Sequence, residues 1–169
     1  MSTGVGLRLA IVGALVLVCG LALQAIRDKE AILAQGRVLR LELAPVDPRS
    51  LMQGDYMALR FAIDNALPAP HALGGAPPRF AVVELDAQGR ASLAGLAQHG
   101  VVEPGQVAMR IRRRDGGFSV GPNAFFFQEG TAADFEAARW GEFRVAPDGT
   151  ALLTHLLDGE LQRLGASRR

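Results

Sequence analysis

An apolar stretch near the amino terminus constrains this chain more than any other feature. From Leu9 to Ile26 the sequence is apolar apart from Gly13, Cys19, Gly20 and Gln24. As a helix this stretch extends about 27 Å, close to the hydrocarbon thickness of a bilayer. The helical pattern continues to Gln35, and Gly36 is a typical helix-ending residue. The sequence therefore predicts a tail at 1–8, a transmembrane anchor with a juxtamembrane extension at 9–35, and a soluble domain at 36–169.

Two other interpretations of this stretch are a lipoprotein signal and a cleaved signal peptide. A lipoprotein signal needs a small residue directly before the cysteine, whereas Val18 precedes Cys19. A signal peptide could be cut after Ala22, because Gly20 and Ala22 are small. The apolar run continues beyond that point with no polar cleavage region. Its length therefore favours an uncleaved anchor.

The residues alone leave the side of the membrane open. Four cations follow the stretch and one precedes it, so the positive-inside rule favours a cytoplasmic domain; they are Arg27, Lys29, Arg37 and Arg40 after it and Arg8 before it. Large domains behind an N-terminal apolar segment nevertheless translocate largely regardless of such charges.

Charge and cysteine content exclude two kinds of explanation. The net charge is +1 and 21% of the residues are charged, so no overall electrostatic attraction indicates a nucleic-acid partner. Cys19 is the only cysteine and lies in the apolar stretch, so the chain has no internal disulfide.

After Gly36 the apolar period changes from helical to alternating, which indicates strands. Strands are expected at 38–43 and at 56–63, and tight turns predict hairpins of 79–85 with 90–96, of 107–114 with 118–120, and of 142–145 with 151–153. One short helix is expected between Thr131, a good N-cap, and Gly141. The predicted fold is mainly β (α+β), a small antiparallel meander or barrel-like domain behind the anchor.

The stretch from Pro45 to Phe61 carries a signature. Asp47-Pro48 sets a turn, and Gly54-Asp55-Tyr56 leads into a strand. This stretch resembles the signature of the GDYXXLXY proteins, bacterial membrane-anchored proteins with no assigned activity. A looser similarity covers Phe125 to Gly130, the helix after it and the 143–153 hairpin. The family pattern ends in Tyr where this chain has Phe61, so a hydroxyl there is not required and Phe61 is expected in the core.

Two interpretations of the signature remain open. It is either a structural corner that directs the first strands or a polar surface for a ligand or partner. The second interpretation rests on alternation, which places Tyr56 opposite Leu59 and Phe61. The candidate binding residues are Asp47, Arg49, Gly54, Asp55, Tyr56 and Glu129.

Several enzyme classes fit the sequence poorly. A signal-peptidase-like Ser-Lys pair would need a lysine after Ser50, but Lys29 is the only lysine. His71, His99 and His155 are widely spaced and stand in no catalytic or metal motif. The acidic group Glu129, Asp134 and Glu136 keeps a carboxylate hydrolase open as an alternative. No catalytic residue, metal site or cofactor is predicted.

Alternation along 107–114 places Arg110, Arg112 and Arg114 on one face of a strand. These charges either discourage edge pairing or contact anionic lipid or an acidic partner loop.

The functional expectation is a binding or accessory protein without assigned activity. The resemblance implies a single-pass protein of the inner membrane with an extracytoplasmic domain, accompanying a polytopic membrane protein. Its contact with lipid is through the anchor helix, and no nucleic acid is expected.

Overall fold

The computed structural model describes residues 3–44, 52–53, 56–69, 75–114 and 117–165. The chain divides into two compact units, Met1–Gln35 and Gly36–Arg169. The first unit is α1, a helix over Thr3–Gln35 that begins six residues before the apolar stretch. Its segment Ile11–Gln35 contains an 18-residue window with a mean hydropathy of 1.8 and is long and apolar enough to cross a membrane. Apolar side chains such as Leu15, Val16 and Leu21 are more than half exposed. A helix that presents apolar side chains on all sides is typical of a segment surrounded by apolar material such as lipid.

The second unit is built from antiparallel strands in small sheets. The first sheet has the order β1-β10-β11, formed by Arg37–Glu42, Trp140–Val145 and Ala151–Leu157. The second has the order β2-β3-β9, formed by Met52–Gln53, Tyr56–Ala58 and Ala124–Phe126. The third has the order β5-β4-β6, formed by Ala91–Ala97, Phe80–Leu85 and Gln106–Arg110. A separate hairpin pairs β7, Arg112–Arg114, with β8, Gly117–Ser119.

These elements confirm the mainly β fold with an apolar N-terminal helix. β4 pairs with β5 and β10 with β11 around the turns that the sequence indicated. At the β10–β11 turn, Asp148 Oδ1 accepts the backbone N–H of Thr150 at 2.8 Å, and Gly149 has a φ of 83°. Local turn chemistry therefore defines these hairpins.

The core is centred on Phe61, which is fully buried and packs edge-on against Phe143 with ring centroids 5.2 Å apart. Two glycines allow this packing. A Cβ on Gly121 would lie 2.3 Å from the Phe61 ring, and one on Gly141 would lie 2.9 Å from Leu153. The prediction that Phe61 belongs to the core is confirmed.

Two predicted elements, the strand at 56–63 and the helix after Thr131, are shorter than expected. The alternation from Tyr56 to Ile63 correctly places Met57, Leu59, Phe61 and Ile63 in the core. However, the strand ends at Ala58, and a 3₁₀ helix occupies Ala62–Ala66. Beyond Ala58 the chain keeps single backbone contacts, a Leu59 N–H bond to the Asn123 carbonyl and a bridge between Phe61 and Leu43. The alternation therefore continues past the end of the strand, and periodicity did not reveal that end.

The predicted helix after Thr131 is a 3₁₀ helix of four residues, Ala132–Phe135. The Thr131 hydroxyl donates to the Gln128 carbonyl at 2.7 Å instead of capping the helix. Phe135 and Ala138 are buried as expected.

Candidate functional site

Most of the predicted signature surface lies outside the described residues. Asp47, Arg49, Gly54 and Asp55 belong to that undescribed part. The structure does describe the strands beside them: Gln53 of β2 pairs with Tyr56 of β3. Of the candidate binding residues in the signature, Tyr56 is the one whose position in the fold the structure describes.

Tyr56 stands next to an exposed phenylalanine. It lies directly across from Phe126 in the β3–β9 register, and the two ring centroids are 5.8 Å apart. Phe126 is 75% exposed, whereas its neighbours Phe125 and Phe127 pack against Phe135 with centroids 5.3 and 5.2 Å away. Strand alternation thus sends two aromatic rings inward and one outward. We call the outward patch the Tyr56–Phe126 pair.

Glu129 lies in an exposed turn shortly after β9. Asp134 and Glu136, the other members of the predicted acidic group, are also exposed. A carboxylate that acts as a general acid at neutral pH is usually one whose pKa is raised by burial. Within the part of the chain that the structure describes, no group of three His, Cys, Asp or Glu residues could hold a metal ion. Glu129, Asp134 and Glu136 thus do not form a buried carboxylate group in this structure.

A carboxylate with a raised pKa occurs elsewhere, on the 3₁₀ helix Ala62–Ala66. Asp64 Oδ2 accepts the Ser119 hydroxyl at 2.9 Å, and Oδ1 accepts the Val120 N–H at 3.1 Å. Burial raises the pKa of Asp64, and these hydrogen bonds and the nearby Arg114 only partly oppose it. Asp64 thus joins the 3₁₀ helix to the β7–β8 hairpin.

Asp64 lines a cleft of about 680 Å³ between the 59–69 segment and the β7–β8 hairpin. Three arginines, Arg60, Arg113 and Arg114, line the same cleft. The Arg114 guanidinium donates to the Gly121 carbonyl at 2.6 Å, so it is also part of the wall. The volume lies within the usual range of small-molecule sites, about 300–1,000 Å³. We call this the arginine cleft.

The structure corrects the prediction of one continuous strand over 107–114. The strand breaks at Ile111: β6 ends at Arg110 in one sheet, and β7 begins at Arg112 in a separate hairpin. Arg110 donates to the Asp148 carboxylate at 3.1 Å, while Arg114 lies in the cleft wall. The predicted single arginine face is therefore wrong, because Arg110 and Arg114 belong to two strands in separate sheets.

Sequence reasoning missed a buried charged cluster on the first sheet. Glu142 of β10 is 4% exposed. Its carboxylate accepts Arg163 Nη2 at 2.8 Å, lies 3.2 Å from His155 Nδ1, and is 3.6 Å from Arg40 Nη2. We call these four residues the Glu142 cluster. His155, expected to be an isolated histidine, is thus an ion-pair partner whose charge depends on its protonation.

The register of the sheet creates this cluster. Arg40 lies opposite Glu142 in the β1–β10 pairing, and His155 lies opposite it in the β10–β11 pairing. The register shifts immediately after Glu142, which is a bulge. Alternation alone indicates that Glu142 points away from Phe143 and Val145, but no sequence pattern identified its partners.

Taken together, the two units define a class of protein: one apolar N-terminal helix followed by a small antiparallel β domain with a cationic cleft and an aromatic pair of which Phe126 is exposed. The family model described as GDYXXLXY protein matches residues 18–156, which is most of the chain. The chain therefore belongs to the GDYXXLXY family. No curated protein and no solved structure matches it.

Proposed function

We propose that the protein is a membrane-anchored binding protein that accompanies a polytopic membrane protein. The observation that carries this proposal is the Tyr56–Phe126 pair beside the family signature. Phe126 is 75% exposed, whereas its two phenylalanine neighbours are partly buried and pack against Phe135. Aromatic residues are enriched at protein interfaces, where a few of them contribute most of the binding energy.

The N-terminal helix supplies the second part of the argument. A helix with the length and hydropathy of α1 holds an attached domain at the membrane and restricts its diffusion to two dimensions. Confinement raises the effective concentration of any partner in the same membrane, so a modest apolar contact is sufficient for association. The proposed partner is therefore a membrane protein that presents an apolar, aromatic-accepting surface near the bilayer.

Site-specific photocrosslinking in native membranes tests this proposal. A photoreactive amino acid replaces Phe126 in the full-length chain, and a matched variant carries it at Val101, which is 88% exposed and lies between β5 and β6. We expect a discrete adduct with one membrane protein from position 126 and none from position 101. Equal adducts from both positions, or adducts only with soluble proteins, would contradict the proposal.

A pull-down with unmodified side chains gives an independent measurement. Replacing a central aromatic contact typically weakens binding by about 2 kcal/mol or more, which is roughly thirtyfold in Kd. Phe126→Ser is therefore expected to lose the partner, while Val101→Ser retains it. If Phe126→Ser retains the partner at wild-type levels, the aromatic pair is not the contact surface.

The proposal places the β domain on the extracytoplasmic side of the inner membrane. Cys19 is the only cysteine and lies within α1, so Val101→Cys adds one exposed thiol to the β domain. In intact cells, a membrane-impermeant maleimide should label Val101→Cys but not the wild type. Labelling that requires cell lysis would place the domain in the cytoplasm.

A further inference from the structure

We propose that the arginine cleft binds an organic anion, in which a phosphate or carboxylate group is attached to an apolar body. This site is separate from the partner surface: neither Tyr56 nor Phe126 lines the cleft. The inference rests on the cleft's construction, its charge and the chemistry of its walls.

The cleft is built by three segments that are fixed to one another. The Ala44 N–H donates to the Arg60 carbonyl at 2.8 Å, and the Leu59 N–H donates to the Asn123 carbonyl at 2.8 Å. Asp64 accepts hydrogen bonds from both Ser119 and Val120, which holds the 3₁₀ helix against the hairpin. These hydrogen bonds hold the walls of the cleft in place without any contribution from a ligand.

The charge of the described lining is positive. Arg60, Arg113 and Arg114 face one carboxylate, Asp64, whose acceptor oxygens are already occupied by Ser119 and Val120. Arg114 is held by the Gly121 carbonyl. The side chains of Arg60 and Arg113 are exposed and form no ion pair or hydrogen bond with the residues described here. Within this part of the chain, the two guanidinium groups that line the cleft are therefore not engaged by other side chains.

The chemistry of the guanidinium groups indicates which class of ligand the cleft binds. A guanidinium group presents a planar fork of donors that matches the two oxygens of a carboxylate or phosphate. Beside these arginines the cleft has apolar walls from Leu59, Leu67 and Phe118. An anion with an apolar body uses both features, whereas a small inorganic ion uses only the charge.

A neighbouring groove of about 240 Å³ extends the apolar wall. It shares Arg113 and Phe118 with the arginine cleft and adds Ile111 and Pro78. Arg113 therefore stands between two concave surfaces, one larger than the other. This position makes Arg113 the residue whose loss should weaken the ligand most.

Calorimetric titration of the full-length protein in nanodiscs of zwitterionic lipid tests the site. The probes are phenyl phosphate and benzoate as anions, benzamide as the neutral match for benzoate, and inorganic phosphate as the anion without an apolar body. We expect the two aromatic anions to bind at least tenfold more tightly than benzamide and inorganic phosphate. Equal binding of benzoate and benzamide would overturn the proposal.

Matched arginine variants distinguish a direct contact with the ligand from a general electrostatic effect of positive charge. Arg112 is exposed on the same strand as Arg113 but does not line the cleft. Arg113→Gln and Arg60→Gln should each weaken phenyl phosphate binding at least tenfold, since each removes a charge-assisted contact. Arg112→Gln should change it less than threefold. An equal loss in all three variants would reduce the effect to nonspecific charge and overturn the site.

The natural ligand could be a lipid headgroup or a free metabolite, and lipid composition distinguishes them. In nanodiscs that contain anionic phosphatidylglycerol, a lipid ligand competes with phenyl phosphate and lowers its apparent affinity. Unchanged affinity in these discs identifies a free organic anion as the ligand. Both results uphold the site, whereas absence of phenyl phosphate binding in zwitterionic discs refutes it.

Discussion

Replacing Glu142 by glutamine should destabilise the β domain far more than removing any of its exposed partners. Glu142 has a side chain that is only 6% exposed and contacts three cationic or protonatable groups. Glutamine keeps the size but removes the negative charge. A buried charged group that loses its counterpart destabilises a fold because water cannot replace the lost interaction.

The contributions can be assigned from the exposure of the partners. Arg40 is 26% exposed, and within the described part of the chain its side chain has one other acceptor, the Gln88 carbonyl, so losing the carboxylate costs about 1.5–3 kcal/mol. Arg163 and His155 are 52% and 40% exposed and return to water, so each adds about 0.5 kcal/mol at most. We expect Glu142→Gln to lower the free energy of unfolding by about 2–4 kcal/mol.

Urea unfolding of the full-length protein in a nonionic detergent measures this effect. Trp140, the only tryptophan, is half-buried on the same strand as Glu142 and reports the transition by fluorescence. Arg163→Gln should cost only about 0.5 kcal/mol, because its partner keeps Arg40 and His155. Glu84→Gln, an exposed strand position, is the matched control and should change stability by less than about 0.5 kcal/mol. A Glu142→Gln effect no larger than that of Arg163→Gln would refute the reasoning.

Three further predictions concern the core, Asp64 and the aromatic strand. Gly121→Ala should lower the free energy of unfolding by about 1–3 kcal/mol, because the new Cβ meets the Phe61 ring at 2.3 Å; unchanged stability in the same urea assay would contradict this packing. Burial raises the pKa of Asp64, so the folded protein holds that proton more tightly than the unfolded chain. The stability of wild type relative to Asp64→Asn should therefore increase as the pH falls from the raised pKa to about 4, and a pH-independent difference would count against it. Phe126→Ala should cost less than about 1.5 kcal/mol, whereas the buried Phe135→Ala should cost about 3–5 kcal/mol, and thermal unfolding that ranks them the other way would contradict the assigned exposures.

Candidate site residues were predictable only where the signal was local. The signature indicated Tyr56, and the structure adds Phe126 opposite it, which no pattern in the sequence paired with Tyr56. Asp64 and Asn65 are turn-forming residues that could have marked the end of the strand after Tyr56. The approach of Asp64 to Ser119, 55 positions later, had no such local signal.

The apolar helix and the β4–β5 and β10–β11 hairpins followed from the sequence by itself, because each depends on residues close together in the chain. Hydropathy over 9–26 is sufficient to predict a helix long and apolar enough to cross a membrane, and Asp148-Gly149 is sufficient for the β10–β11 turn. Alternation likewise placed Phe61 in the core before its neighbours were known.

Only the tertiary structure decided which distant elements meet. β1 pairs with β10, so Arg40 reaches Glu142 about a hundred positions away, and the break at Ile111 moves Arg113 and Arg114 into the arginine cleft. Such contacts depend on how all the sheets pack around Phe61 and Phe143 at once. Periodicity determines which face of a strand is apolar. Which strand lies beside it depends on the packing of the whole domain.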